Sequence, residues 1–306
     1  MTGTPASLCI DLPALCVIQF QGADAVAFLH AQVTNDIEHL PPGRACLAAY
    51  CTAKGRTLAT MVLWRAHDDT LFAMVRRDLA DSLVKRLRMF VLRSKVVITL
   101  TDLLVQGVAA APSHDAAWDI LQADDATLIQ APGRLDDQAR AWRIAAFPQQ
   151  PAQADAGPWN SADILAGLPW IGSATQDMFI PQTLNLDLID AINFRKGCYP
   201  GQEVVARSHY RGTVKRRMAA AATDVLPSAL EPAEGADVWL QGQPDSPAAR
   251  IINRAWHAGQ QRLYVLLEVQ WSDFTQDAYR LEGGQPLRVQ PLPYALPELK
   301  DDSGTA

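Results

Sequence analysis

A cysteine set among glycines and cations is the most distinctive chemical feature of this 306-residue chain. In FRKGCYPGQEVVARSHYRG, residues 194–212, Gly197 and Gly201 bracket Cys198 and Pro200. Glycine lets a backbone turn sharply and approach a ligand closely, so the segment reads as a loop. Arg195 and Lys196 beside Cys198 would favour its thiolate by Coulomb attraction if the side chains point the same way, which makes Cys198 the candidate reactive group. Gln202 and Glu203 add an amide and a carboxylate able to read the donor and acceptor edge of a heterocycle. A plainer reading stands beside each: the glycines shape a turn, the cysteine fills a small apolar hole, and Gln202 and Glu203 cap the loop or the next element.

Charge singles out the same region. The chain carries −6 overall, yet residues 195–217 hold seven cations (Arg195, Lys196, Arg207, Arg211, Lys215, Arg216, Arg217) and only Glu203 in opposition, a local +6 that leaves −12 on the rest. A confined basic segment on an acidic chain suits a local anionic ligand better than wholesale coating of nucleic acid; a solvated basic strand is the alternative.

Other chemistries find no foothold. There is no GxGxxG, P-loop, HExxH or GxSxG, which removes support for Rossmann redox chemistry, nucleotide-dependent phosphotransfer, zinc proteolysis and serine hydrolysis. The six histidines (His30, His39, His67, His114, His209, His257) are scattered without i, i+4 pairing. Cys46 and Cys51 could approach across a first turn, a weak metal signal without a third ligand. Five cysteines without a CxxC pair fit a reducing compartment. No Lys or Arg precedes Arg44 and no uncharged run is long enough to span a bilayer, so a cytoplasmic location without membrane partners is expected.

The elements that must position these residues are readable in outline. GADAVAFLHAQV, residues 22–33, predicts a short helix with Asp24 as N-cap and Val26, Leu29 and Val33 on its apolar face. ACLAAYC, RTLATMVLWR and TLFAMVR predict a β-meander. DLADSLVKRLRMFVLR predicts an amphipathic helix with Leu79, Leu83, Leu87 and Phe90 inward and Lys85, Arg86, Arg88 and Arg93 solvated, followed by strand KVVITL. AAFPQQPAQADAGP, residues 145–158, lacks apolar period and reads as a linker or exposed loop. Beyond Gly212, TVKRRMAAA, ADVWL, AARIINRAW, RLYVLLEV and PLRVQ predict a small antiparallel barrel or sandwich without helices.

The octapeptide KGCYPGQE, followed by Arg207, Tyr210, Arg211 and Gly212, resembles the signature of the YgfZ proteins, folate-binding relatives of the glycine-cleavage T-protein also described as tRNA-modifying or iron–sulfur maintenance factors. GADAVAFLHAQVTNDI, AAYCTAKGR, LRMFVLRSKVVIT, LAGLPWIG, FIPQTLNL and QPLPYAL are similar to family segments in the family's order, so the resemblance covers nearly the whole chain. It implies an α+β fold arranged as a three-lobed T-protein-like ring. Residues 1–46 and 155–212 would form a central folate-binding α+β lobe, 47–154 an inserted ferredoxin-like lobe, and 213–306 a C-terminal antiparallel β-barrel, with tetrahydrofolate or a reduced derivative near the centre.

Carried over residue by residue, the family's functional cysteine is Cys198 and its lysine partner Lys196. Cofactor contacts are expected from Trp159, Gln182, Gly197, Tyr199, Gly201, Gln202, Glu203, Arg207 and Arg211. A second pterin-stacking aromatic falls on Leu15, which can pack but cannot stack. Where T-proteins carry a carboxylate pair this chain has Ala59 and Thr60, and where they carry Pro-Glu it has Pro181 and Gln182, so aminomethyl transfer loses its acid. The resemblance therefore implies a folate-binding factor that assists assembly or repair of iron–sulfur clusters, its partners being iron–sulfur enzymes, tRNA-thiolating ones among them, or their assembly machinery. Two alternatives remain: a one-carbon transferase borrowing a carboxylate such as Asp36, and a tRNA-binding module using Arg207 to Arg217, against which the lack of interleaved exposed aromatics weighs.

Overall fold

Apolar alternation and long buried runs divide the described chain into two five-stranded sheets and a closed barrel. The computed structural model describes residues 8–109, 116–149, 151–210, 214–224, 231–271, 274 and 278–297. Strand β1 (Cys9–Asp11) pairs with a distant strand, and the chain first builds a separate antiparallel sheet from β2 (Leu15–Gln21), β3 (Ala45–Cys51), β4 (Thr57–His67), β5 (Thr70–Arg76) and β6 (Val97–Leu100), in the order β3-β4-β5-β2-β6. Residues 57–64 of β4 are all buried, as a strand covered on both faces requires. Strand β3 runs across the 46/47 boundary expected from the resemblance, so this sheet is continuous there.

Two helices belong to this sheet. Helix α1 (Ala25–His30) buries Ala25, Phe28 and Leu29. Asp24 precedes it but makes no side-chain cap; its carboxylate instead accepts the Lys95 N–H at 2.6 Å and ties the helix start to the approach of β6. Helix α2 (Arg77–Arg88) buries Leu79, Ala80, Leu83, Val84 and Leu87, with Asp78 in its first turn and Lys85, Arg86 and Arg88 in its last, the charge order its dipole favours. Phe90, expected on the inward face, lies beyond the helix end and is 43% exposed. Two of the expected solvated cations are tethered: Arg86 donates to the Tyr50 hydroxyl and Arg88 to the Ile98 carbonyl. Cys46 and Cys51 share strand β3 and stand five residues apart, roughly 17 Å at strand rise, so no turn brings them together.

The second sheet comprises β1, β7 (Leu104–Ala109), β8 (Ile120–Ala123), β9 (Ala126–Leu135) and β10 (Gln138–Ala145), ordered β1-β7-β10-β9-β8. The segment expected as a linker adds to its edge: the Asp11 N–H donates to the Gln153 carbonyl and the Gln153 N–H to the Cys9 carbonyl, each at 2.8 Å. Helix α3 (Gly157–Leu165) covers this sheet and is fixed by a buried pair, Arg140 to Asp163 at 2.7 Å, with the Trp170 indole N–H donating to the same carboxylate at 2.9 Å.

After α4 (Gln202–Tyr210), strands β11 (Arg216–Thr223), β12 (Asp237–Leu240), β13 (Gln243–His257), β14 (Arg262–Gln270), β15 (Tyr279–Arg280) and β16 (Pro286–Gln290) close in the order β11-β14-β13-β12-β15-β16. The two-residue β15, too short for any sequence period, completes the closure. Period two explains how the barrel joins the rest: Ala219 and Ala221 of β11 face the barrel's own core, while Met218, Ala220 and Ala222 pack into the main core. Strand β14 does the same with Val265 and Leu267 on one face and Tyr264 and Leu266 on the other. The protein is thus an α+β molecule of three lobes with a C-terminal antiparallel barrel.

Candidate functional site: a thiol loop and a central cavity

The loop carrying Cys198 is built by backbone clamps. Thr34 donates to the Ala191 carbonyl at 2.7 Å, Asn35 to the Asp190 carbonyl at 2.8 Å, and the Asn193 N–H to the Thr34 carbonyl at 3.0 Å. The Asn193 side chain then accepts from the N–H groups of Arg195 and Lys196, a local turn that starts the octapeptide. Lys196 is buried, and its ammonium donates to the carbonyl of His30, the last residue of α1, and to that of Val33 just beyond it, while lying 5.1 Å above the Tyr199 ring. Burial pulls Lys196 down to about 8, against the pull of Asp36 and Glu38 in the other direction. Lys196 is therefore a buried tie between two loops, and the adjoining Cys198 side chain is exposed.

The two bracketing glycines differ in purpose. Gly201 has φ +82°, and a Cβ there would fall 2.6 Å from the Gly55 Cα. Gly55 itself, at φ +73°, would meet the Val204 Cβ at 2.8 Å, so the Cys-Thr-Ala-Lys-Gly-Arg turn and the octapeptide interlock through two glycines. Gly197 has open space, its nearest neighbour being His30 Nε2 at 3.9 Å.

The loop reading ends at Gly201, because Gln202 to Tyr210 form α4. Glu203 lies in its first turn and Arg207 in its last, both exposed, and Gln202 reaches back toward the Lys196 carbonyl at 3.5 Å. Gln182 is fully buried; its amide N–H donates to the Val205 carbonyl at 2.6 Å, and its side-chain oxygen has no hydrogen-bond partner among the described residues. Phe194 stacks on His209 at 3.8 Å with Tyr210 edge-on, and Tyr210 is 66% exposed. Arg211 lies outside the described residues, as does His114.

A separate cavity of about 620 Å³ opens where the three lobes meet. Leu12, Leu15, Ile164 and Leu168 supply apolar wall, and Trp170 and Trp256 supply aromatic wall. Its polar lining is a connected set: Arg76 donates to Glu234 at 3.2 Å, and Asn253 donates to Glu234 at 3.1 Å and to the Trp170 carbonyl at 2.6 Å. Asn160 and Asp163 add further polar groups from α3.

The sequence expectation placed one ligand among all the named site residues, and the structure distributes them. Lys196, Gly197, Cys198, Tyr199, Gly201, Gln202, Glu203 and Arg207 come together as one loop and helix, but none of them lines the central cavity. Leu15 does line it. Trp159 does not: it is fully buried under the Arg140 guanidinium and so close to Gly107 that a Cβ there would fall 2.6 Å from the indole Cδ2. Gln182 is spent on holding α4. Ala59 and Thr60 are buried too, Thr60 bridging the Pro169 carbonyl and the Ile171 N–H at 2.9 and 3.0 Å. Gly157, Asn160 and Ile164, three and four residues apart on α3, share the side that meets the cavity, a spacing the sequence carries; nothing in the sequence linked Trp256 or Glu234 to Leu15.

The three lobes share their fold with a solved aminomethyltransferase T. The chain matches the crystal structure of glycine cleavage system aminomethyltransferase T from Bartonella henselae at a TM-score of 0.72 and 13% identity, over 94% of this chain and 86% of that one. No family model matches the chain. It is 32% identical over 311 residues to the tRNA-modifying protein YgfZ of Sodalis glossinidius (strain morsitans), spanning 94% of this chain and 93% of that relative. It is 31% identical over 322 residues to the protein of the same name from Yersinia pseudotuberculosis serotype O:1b (strain IP 31758), spanning 98% and 96%. The chain belongs to the YgfZ family.

Proposed function

We propose that the central cavity takes a reduced folate and that Cys198 is the thiol with which this protein assists assembly or repair of iron–sulfur clusters in client enzymes of the cytoplasm, tRNA-thiolating enzymes among them. The lining of the cavity carries the folate part. A reduced pterin is a flat heterocycle with several N–H donors, and the Glu234 carboxylate and the Asn160 amide offer acceptors for them in a cavity also lined by Trp170 and Trp256. The volume suits one small ligand with most of its surface enclosed. When bound, the folate would supply one-carbon or reducing chemistry; the residues of this chain bind and orient it. Asp36, the carboxylate a transferase would need to borrow, sits beside His30 and His39 on the Lys196 side and does not line the cavity.

Exposure supports the thiol assignment. Burial pushes Cys16 up to about 11 and Cys46 and Cys51 up to about 12, and raises Cys9 as well, whereas Cys198 stands at the surface. Only a reachable thiol can exchange with a partner's sulfur or iron.

Tetrahydrofolate titrated into the full chain, followed by calorimetry, should bind saturably, and Glu234→Gln should weaken it about tenfold; absence of binding to the unaltered protein ends the folate assignment. In cells lacking their own copy, Cys198→Ala should bind folate normally yet fail to restore iron–sulfur enzyme activity, and full rescue would remove the cysteine from the mechanism.

One observation favours a second reading, direct contact with tRNA. The exposed Tyr210, packed with His209 and Phe194 beside Arg207, supplies the aromatic surface whose absence weighed against RNA binding. Retention of tRNA that falls steeply with added salt and is lost in Tyr210→Ala supports it; no retention even at low ionic strength removes it.

A further inference from the structure

We propose that a second cavity, between the barrel and the turn that carries Arg56, is a binding site for a small oxyanion, the phosphate or carboxylate group of a metabolite. This cavity has a volume of about 460 Å³, and none of its lining residues lines the central one. Its floor is a row of charges laid across four barrel strands. Arg250 on β13 stands in register with Asp237 on β12 and with Glu268 on β14. It donates to one Asp237 oxygen from Nε at 3.0 Å and from Nη2 at 2.8 Å. Arg216 on β11, two residues from the position facing Glu268, donates to that carboxylate at 3.3 Å.

The row alternates cation and anion and is neutral by itself. Arg56 changes that balance. It arrives from another lobe, on the turn between β3 and β4, and its guanidinium donates to the Met178 carbonyl without a carboxylate partner among the described residues. Three guanidiniums therefore face two carboxylates, an excess of one positive charge.

Geometry adds to charge. Each guanidinium is a planar fork of several N–H donors, and the bonds just named engage only a minority of them. The natural complement of such forks is an oxyanion, which accepts two donors side by side. Asp237 and Glu268 already hold Arg250 and Arg216 in place, so little side-chain ordering remains on binding. Met178, Ile180 and Pro247 add apolar wall, enough for a small organic body.

The test uses the full chain at constant ionic strength, with inorganic phosphate and glutarate as separate probes and chloride as the control salt. Saturable binding of at least one probe is expected, phosphate alone pointing to a phosphate ester, glutarate alone to a dicarboxylate and both to a shared oxyanion site. Arg56→Gln should weaken it about tenfold and Arg56→Lys should retain part of it. If Arg56→Gln shifts the unfolding midpoint, Arg216→Gln probes the same cavity from the barrel side. No saturable binding of either anion, or wild-type affinity in both Arg56→Gln and Arg216→Gln, overturns the proposal.

Discussion

The thiol loop and the central cavity are built on opposite principles. The loop is a local object: one octapeptide turns on its own Asn193 and glycines and is held by hydrogen bonds to residues 30–35 and by close packing against the Gly55 turn. The cavity is a meeting place, in which Leu15 comes from strand β2, Asn160 from helix α3 and Trp256 from barrel strand β13. The difference teaches where each is vulnerable. The loop depends on backbone conformation, the cavity on the buried polar contacts that hold its walls together.

The contrast can be broken most forcefully at the cavity. Asp163→Ala removes one partner of a desolvated pair and leaves Arg140 charged and buried, at a cost of about 3–5 kcal/mol in urea unfolding. A loss under about 1 kcal/mol would show that water relieves the arginine and that the wall is not held this way.

The loop offers an internal comparison. Gly201→Ala forces a side chain into a left-handed backbone against the Gly55 turn and should cost about 3 kcal/mol, whereas Gly197→Ala, with open space, should stay within about 0.5 kcal/mol. Equal effects at the two glycines would refute the interlocking turn as the reason for Gly201.

The smallest expected effect concerns protons. Lys196 titrates near 8 in the folded protein against an ordinary value of 10.5, so between those values the unfolded chain binds more protons. Stability relative to Lys196→Met should therefore rise with pH across that window, by about 1–2 kcal/mol. A difference that stays flat from pH 8 to 10.5 would mean the ammonium is better solvated than its burial implies.

Much of the architecture was legible. The meander of β3 to β5, the amphipathic face of α2 and the antiparallel C-terminal region all stem from apolar periods that each segment carries by itself. Local breakers were legible as well, since Gly201 does what a glycine in a tight turn is expected to do. The misreadings share one cause, competition from distant partners. Asp24 looks like a helix cap until the Lys95 N–H claims its carboxylate. Gln202 to Tyr210 carry only Val205 as a buried apolar anchor, too little period to announce α4, and the helix is held instead by the Gln182 amide. Trp159 reads as a ligand aromatic until the absent side chain at Gly107 gives it a slot in the core.

What the sequence alone determined was identity and local form: the octapeptide and its companion segments mark the family, and periodicity marks most strands and helices, because both are written in neighbouring residues. The tertiary structure alone decided which side chains share a space. It separated Cys198 from the central cavity, withdrew Trp159 and Gln182 into packing, and set Arg56 over a charge row on the barrel. Those outcomes depend on contacts between residues far apart in the chain, whose geometry is fixed only when buried surfaces and hydrogen bonds from different lobes are satisfied together.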